Sequence, residues 1–366
     1  MKHITILTFV TVVSVMSGCD LYYEDEAVKI DNEILSKEWT RVNVSGEFGY
    51  GEYAGGVQGV GGAAGSNTFL AGFGTIWRAG DRTGIFSPQA LTAPGAAPGS
   101  SNRPFTAATS AQSSQFSGEM YWGSGLHDFY AYYPYNSEAL SSLAAENAFD
   151  SESAPLNENS GSEINVKVSL PANQFQNGDN SDHVGNYDFM VATPLKNVSS
   201  QSAPGTSVTE SQSINGISQV TFRFHHLFSL LVFQFSSSFI SGDIVSLKLT
   251  SQGAPISLSS GTVDISQPSP AAGEGYSVKA DSSPSDFAIT LTESSKNCHV
   301  TSYFSKSAKL YLVMLPGDYT SQNFTLELIV KESDGTTQKG RYTKRGPKIL
   351  RGTLYTVQLN LDGFSW

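Results

Sequence analysis

Apolar and polar side chains alternate along most of this chain. Val42-Asn43-Val44-Ser45-Gly46 and Ile164-Asn165-Val166-Lys167-Val168-Ser169-Leu170 keep a period of two, the spacing of a strand that buries one face. Trp77 to Phe86 reads as strand, Gly80-Asp81 turn, strand, and Phe129 to Tyr135 is an aromatic strand ended by Pro134. A short strand is expected over Tyr187–Ala192. Val220–Leu227 and Ser229–Phe235 have continuous apolar centres, which predicts burial on both faces. Further strands are expected at 243–250, 286–292, 309–315, 324–331 and 353–361, with one short helix over 137–146. Three stretches break the pattern. Residues 49–75 are rich in Gly and Ala, 87–115 read as an exposed loop, and the polar 195–217 read as a domain linker. Strands about ten residues apart with turn signals between them predict an all-β chain of two sandwich domains, 38–205 and 206–366.

Composition narrows the class. Of 366 residues only 15% are charged, and Gly 35 and Pro 15 are plentiful, which excludes helical bundles and coiled coils. Lys+Arg 22 against Asp+Glu 33 gives a net charge of −11, which argues against a nucleic-acid partner. Tyr 16 and Phe 21 supply the aromatic surface a folded core needs.

The first residues have a separate task. Lys2 and His3 precede an apolar run from Ile4 to Met16, then Ser17, Gly18 and Cys19, the layout of a secretory signal too short to span a bilayer. Small residues before a cysteine resemble a bacterial lipobox, although Met16 stands where Leu is usual. That resemblance implies cleavage after residue 18, acylation of Cys19 and anchoring by its lipid. Residues 19–37, including Glu24-Asp25-Glu26, form an acidic tether. It reads equally as a solvated linker and as a segment resembling lipoprotein surface-export signals. With Cys19 lipidated, Cys298 has no disulfide partner and is expected as a small buried residue.

Six segments match one ordered pattern: Trp77–Phe86, Phe129–Tyr135, Asp188–Ala192, Phe224–Phe233, Leu312–Gly317 and Leu350–Val357. Together with the lipobox they resemble the fimbrillin family of type V pilins and pilin-like lipoproteins, over roughly residues 38–362. The resemblance implies two transthyretin-like sandwiches, export to the outer membrane and a role in fimbriae and adhesion. It also implies partnership with other pilus subunits through donor-strand exchange: a protease cuts after an arginine, the first strand leaves, and a neighbour's strand fills the groove.

Chemistry beyond that is sparse. No zinc-ligand spacing, nucleophile elbow or phosphate loop occurs, so neither an enzyme nor a cofactor is expected. Trp77 is expected in the core. Tyr130, Tyr132, Tyr133 and Tyr135 read as a core strand with an aromatic rim or as a sugar-stacking platform, with Phe129, Ala131 and Tyr133 on one face and Tyr130 and Tyr132 on the other. His225 and His226 point opposite ways, one of them inward. Asn177 to Asp182 hints at calcium but lacks a closing Glu. Against the family pattern, Arg41 precedes the first strand, so a cut there would not free it. The tail after Leu361 is short for a donor, and the inserts 49–72 and 87–115 have no counterpart. A tip or accessory adhesin fits these departures. A non-polymerising, glycan-binding surface lipoprotein is the alternative.

Overall fold

The computed structural model describes residues 42–48, 69–71, 74–93, 96–123, 125–137, 164–199, 211–214, 217–266, 278–280, 283–293 and 298–366. The signal at 1–18, Cys19, the tether at 19–37, Arg41 and nearly all of the helix expected at 137–146 lie outside them.

The chain is all-β. Its strands are β1 (Asn43–Phe48), β2 (Phe69–Ala71), β3 (Gly74–Ile76), β4 (Arg82–Leu91), β5 (Pro98–Ala107), β6 (Ser114–Gly118), β7 (Leu126–Tyr133), β8 (Asn165–Leu170) and β9 (Asn173–Gln176). They continue with β10 (Met190–Ala192), β11 (Leu195–Ser199), β12 (Ser211–Ile214), β13 (Ile217–His226), β14 (Ser229–Ser236), β15 (Gly242–Ser251), β16 (Leu258–Asp264), β17 (Val278–Ala280) and β18 (Ala288–Glu293). The last are β19 (His299–Val300), β20 (Lys309–Met314), β21 (Gly317–Asp318), β22 (Asn323–Lys331), β23 (Thr337–Arg345), β24 (Lys348–Ile349) and β25 (Leu354–Asn360).

In the largest sheet β1, β6, β5, β4, β7, β10 and β13 pair in succession, and β13 pairs back onto β1, closing a ring. Inside the ring lie Val44, Trp77, Phe105, Phe116, Phe129, Tyr133, Phe222 and Phe224. Large side chains buried so completely contribute roughly 1.5–3 kcal/mol each. The alternation expected for β7 holds: Phe129, Ala131 and Tyr133 face this core, whereas Tyr130 and Tyr132 face a second one.

The second core joins Tyr130, Tyr132, Phe86 and Phe228 to Leu230 and Val232 of β14, Tyr311 and Val313 of β20, and the apolar residues of β8 and β16. The third lies between the other face of β14 and β20 and the sheet β23-β22-β15-β18-β9. Every residue of β14 is buried, so its unbroken apolar run reflects packing on both faces.

Several expectations differ from the fold, and the Gly- and Ala-rich 49–75, read as free of packed strands, holds β2 and most of β3. The stretch 87–115 contains β5, the start of β6 and the end of β4, and the polar 195–217 contains β11 and β12. Backbone pairing with β4, β7 and β13 holds these segments, so they need few apolar side chains. Pairing also crosses the expected 205/206 division. β13 completes the first sheet, while β8 and β9 leave it to pair with β16 and β18.

Side chains replace backbone at one edge of β20. The carboxamide of Gln174 donates to Val313 O at 2.7 Å and accepts from Val313 N at 3.0 Å. That of Gln176 donates to Lys309 O at 2.7 Å and accepts from Tyr311 N at 2.9 Å. Each amide mimics a peptide unit, so β20 keeps its hydrogen bonds where, among the described residues, no strand continues the sheet.

Candidate functional site

The first strand is seated on both edges. β1 runs antiparallel to β6, with Val44 opposite Phe116, and parallel to β13, with Val44 opposite Val220. Val42 N donates to Met120 O at 2.8 Å just before the strand. Val42 and Val44 are buried in the ring, and Ser45 on the other face donates to the Thr221 hydroxyl at 2.9 Å.

Gly46 marks the closest approach. A Cβ there would lie 2.7 Å from the Phe116 ring and 2.9 Å from the Phe224 ring. Both rings pack edge-on against the Trp77 indole, at centroid distances of 5.0 and 5.1 Å, and Tyr133 does so at 5.3 Å. Trp77 is fully buried, and its Nε1 donates to Gly46 O at 3.2 Å. A fully buried tryptophan of the ring thus binds the backbone of the strand that closes it. Such a seat reads an extended segment with apolar residues at two alternating positions and no side chain at the third.

A turn fixes Trp77. Asp81 Oδ2 accepts from Arg78 N at 2.8 Å, Asp81 N donates to Arg78 O at 2.9 Å, and Gly80 takes φ +97°. Gly80 N then donates to Ala107 O at 2.9 Å, and Ala107 N to Asp81 O at 2.7 Å. Burial pushes the Asp81 carboxyl up to about 7, against the hydrogen bonds from Arg78 and Tyr133 and the charge of Arg78; nearby Asp188 adds to the rise. Asp188 in turn meets the buried His226 ring at Nδ1. His225, on the opposite face, meets the Thr193 hydroxyl at 3.0 Å.

The other candidate residues have structural partners. Cys298 is buried in the third core, its Sγ donating to Gly178 O at 3.5 Å, and burial pushes its thiol far up. Asp179 accepts from Lys309 N at 2.6 Å, and among the described residues no cluster of His, Cys, Asp and Glu could hold a metal ion. Of the two readings of the tyrosines the core strand holds and the sugar platform does not: Tyr130, Tyr132 and Tyr133 are at most 3% exposed, because both faces of β7 are covered, and half-buried Tyr135 stacks with the Arg82 guanidinium. Sequence reasoning passed over Gln174 and Gln176, although two glutamines two apart on a strand point to one side. It also passed over the cations Lys339, Arg341, Lys344, Arg345 and Lys348, which the net charge conceals. The first four lie on β23, an edge strand whose charges discourage pairing with other chains.

A ring of strands closed by its own first strand defines an all-β protein. The fimbrillin-like family model matches residues 68–363, and the chain belongs to that family. Solved structures share the likeness at low identity. A "putative cell adhesion protein" of Bacteroides uniformis is 16% identical, with TM-score 0.49, covering 90% of this chain and 96% of that one. Another from Bacteroides ovatus is 13% identical, with TM-score 0.44, covering 89% and 95%. A fimbrilin of Porphyromonas gingivalis is 10% identical, with TM-score 0.35, covering 88% and 90%. No curated protein matches the chain.

Proposed function

We propose that this chain is a surface-exposed, lipid-anchored adhesion subunit that enters fimbriae at a tip or accessory position by exchanging β1 for a partner's strand. The observation that carries the reading is the seating of β1. It pairs on both edges, so its departure unpairs the facing backbone groups of β6 and β13 and bares the Trp77 cluster, which a strand of matching pattern would satisfy. Arg41 lies before β1, so the productive cut is assigned to residues 49–68, between β1 and β2. The tip or accessory position is favoured by the contacts that Ser365 and Trp366 make with β23. Ser365 and Arg341 exchange two backbone hydrogen bonds of 2.9 Å, and the Trp366 indole lies over Gly340. Donating this segment would require breaking those contacts. Acylation of Cys19 supplies the membrane attachment.

Terminal sequencing of protein recovered from assembled surface fibres tests the proposal. A new N-terminus within 49–68, with other subunits co-purifying, is expected. An N-terminus at acylated Cys19 with no subunit attached would leave a free surface lipoprotein instead.

A further inference from the structure

The face of β14 that carries Leu230, Val232 and Gln234 changes character along its length. Its register sets three rows across β20, β14 and β25: Val313-Leu230-Leu354, Tyr311-Val232-Thr356 and Lys309-Gln234-Gln358. The first row belongs to the second hydrophobic core, as do Tyr311 and Val232 of the second. The third row is polar and opens into a groove of about 720 Å³, walled by residues 302–305.

That wall is tied in place. Gln234 Nε2 donates to Phe304 O at 3.1 Å, the Thr301 hydroxyl to Tyr303 O at 2.8 Å, and Lys306 N to Tyr303 O at 3.0 Å. Tyr303 is nevertheless 65% exposed, with Lys306 Nζ 5.6 Å from its ring centroid. The groove is further lined by Gln358 and Gln234, whose amides meet at 3.2 Å, and by Thr356 and Lys309.

We infer that this groove binds a short, hydroxyl-rich oligosaccharide. An aromatic face held open to solvent suits the apolar face of a sugar ring. Amides and hydroxyls, which both donate and accept, suit ring hydroxyls, and a fixed wall lowers the entropy cost of binding. The volume falls within the usual range of small-ligand sites, roughly 300–1,000 Å³. The inference supplies a ligand class for the adhesion reading and does not depend on strand exchange, since the groove lies on β14 and β25, away from β1.

The test uses the full chain in detergent, with β1 in place, on an array of neutral and carboxylated oligosaccharides, followed by calorimetric titration of the glycans retained. Tyr303→Ala is expected to weaken binding about tenfold and Gln358→Ala about threefold, both with unchanged melting. Phe239→Ala, at a residue 82% exposed, serves as the surface control and is expected to bind as the parent does. Retention of no glycan by the parent protein, or equal binding by Tyr303→Ala, would overturn the inference. Loss of glycan binding with subunit assembly intact would leave the strand-exchange reading standing.

Discussion

Asp81→Asn tests whether the turn beneath Trp77 holds a buried acid. Asp81 is fully buried, and its carboxyl is raised from an ordinary 3.8 to about 7. The native state therefore keeps a proton that the unfolded chain releases. Stability from this group is complete below pH 3.8 and is lost as the pH rises to 7. A shift of about three units corresponds to roughly 4 kcal/mol. His183 works in the opposite direction. It is 6% exposed, its Nε2 meets Tyr311 O at 2.8 Å, and burial lowers its pKa from 6.5 to about 4. Its contribution is present above pH 6.5 and lost as the pH falls to 4, about 2.5 units or roughly 3 kcal/mol. Burial lowers the pKa of His127 as well, in the same sense. The two slopes oppose each other between pH 4 and 7, so Asp81 offsets part of the His183 contribution in the parent protein. Asparagine keeps the acceptor for Arg78 N and removes the charge. Urea unfolding at four pH values should show Asp81→Asn more stable than the parent at pH 7.5, then losing roughly 3 kcal/mol from pH 6.5 to 4. Parallel profiles for parent and variant would refute the reasoning.

Four further outcomes are expected. Gly46→Val should weaken the seating of β1 by roughly 1–3 kcal/mol through overlap with Phe116 and Phe224, and protease should then cut residues 49–68 faster. Gln176→Ala should cost roughly 1–3 kcal/mol by stranding Tyr311 N and Lys309 O, with faster amide exchange at Tyr311. Native Cys298 should resist a thiol reagent and react on unfolding, because it is buried and its thiol is pushed far up. Cys19→Ala should move the protein from the membrane to the soluble fraction, read by fractionation and blotting, whereas retention would remove the lipid anchor.

Much of the fold is written in local pattern. Ile164–Leu170 alternates and becomes β8, and the apolar run of 229–235 becomes β14, buried on both faces. Trp77, Gly80 and Asp81 form the turn their identities imply. What escaped the sequence depends on partners far along the chain. β5, drawn from Pro98-Gly99-Ser100-Ser101-Asn102, has poor strand propensity and is held by β4 and β6. β23 is polar because it lies at an edge. Closure of the ring joins Val44 to Val220, a pairing no local window contains. The groove at Tyr303 likewise gathers β14, β20, β25 and a loop, so no motif announces it.

Exchange of β1 in solution tests the central claim most directly. A specific protease site is placed within residues 49–68, the cut protein is separated from the β1 segment in mild denaturant, and a labelled peptide spanning residues 42–48 is offered. The account predicts that the cut protein captures this peptide and regains its melting temperature, while a peptide carrying Val in place of Gly46 fails to do so. Refolding to the full melting temperature without any peptide, or equal capture of both peptides, would contradict it.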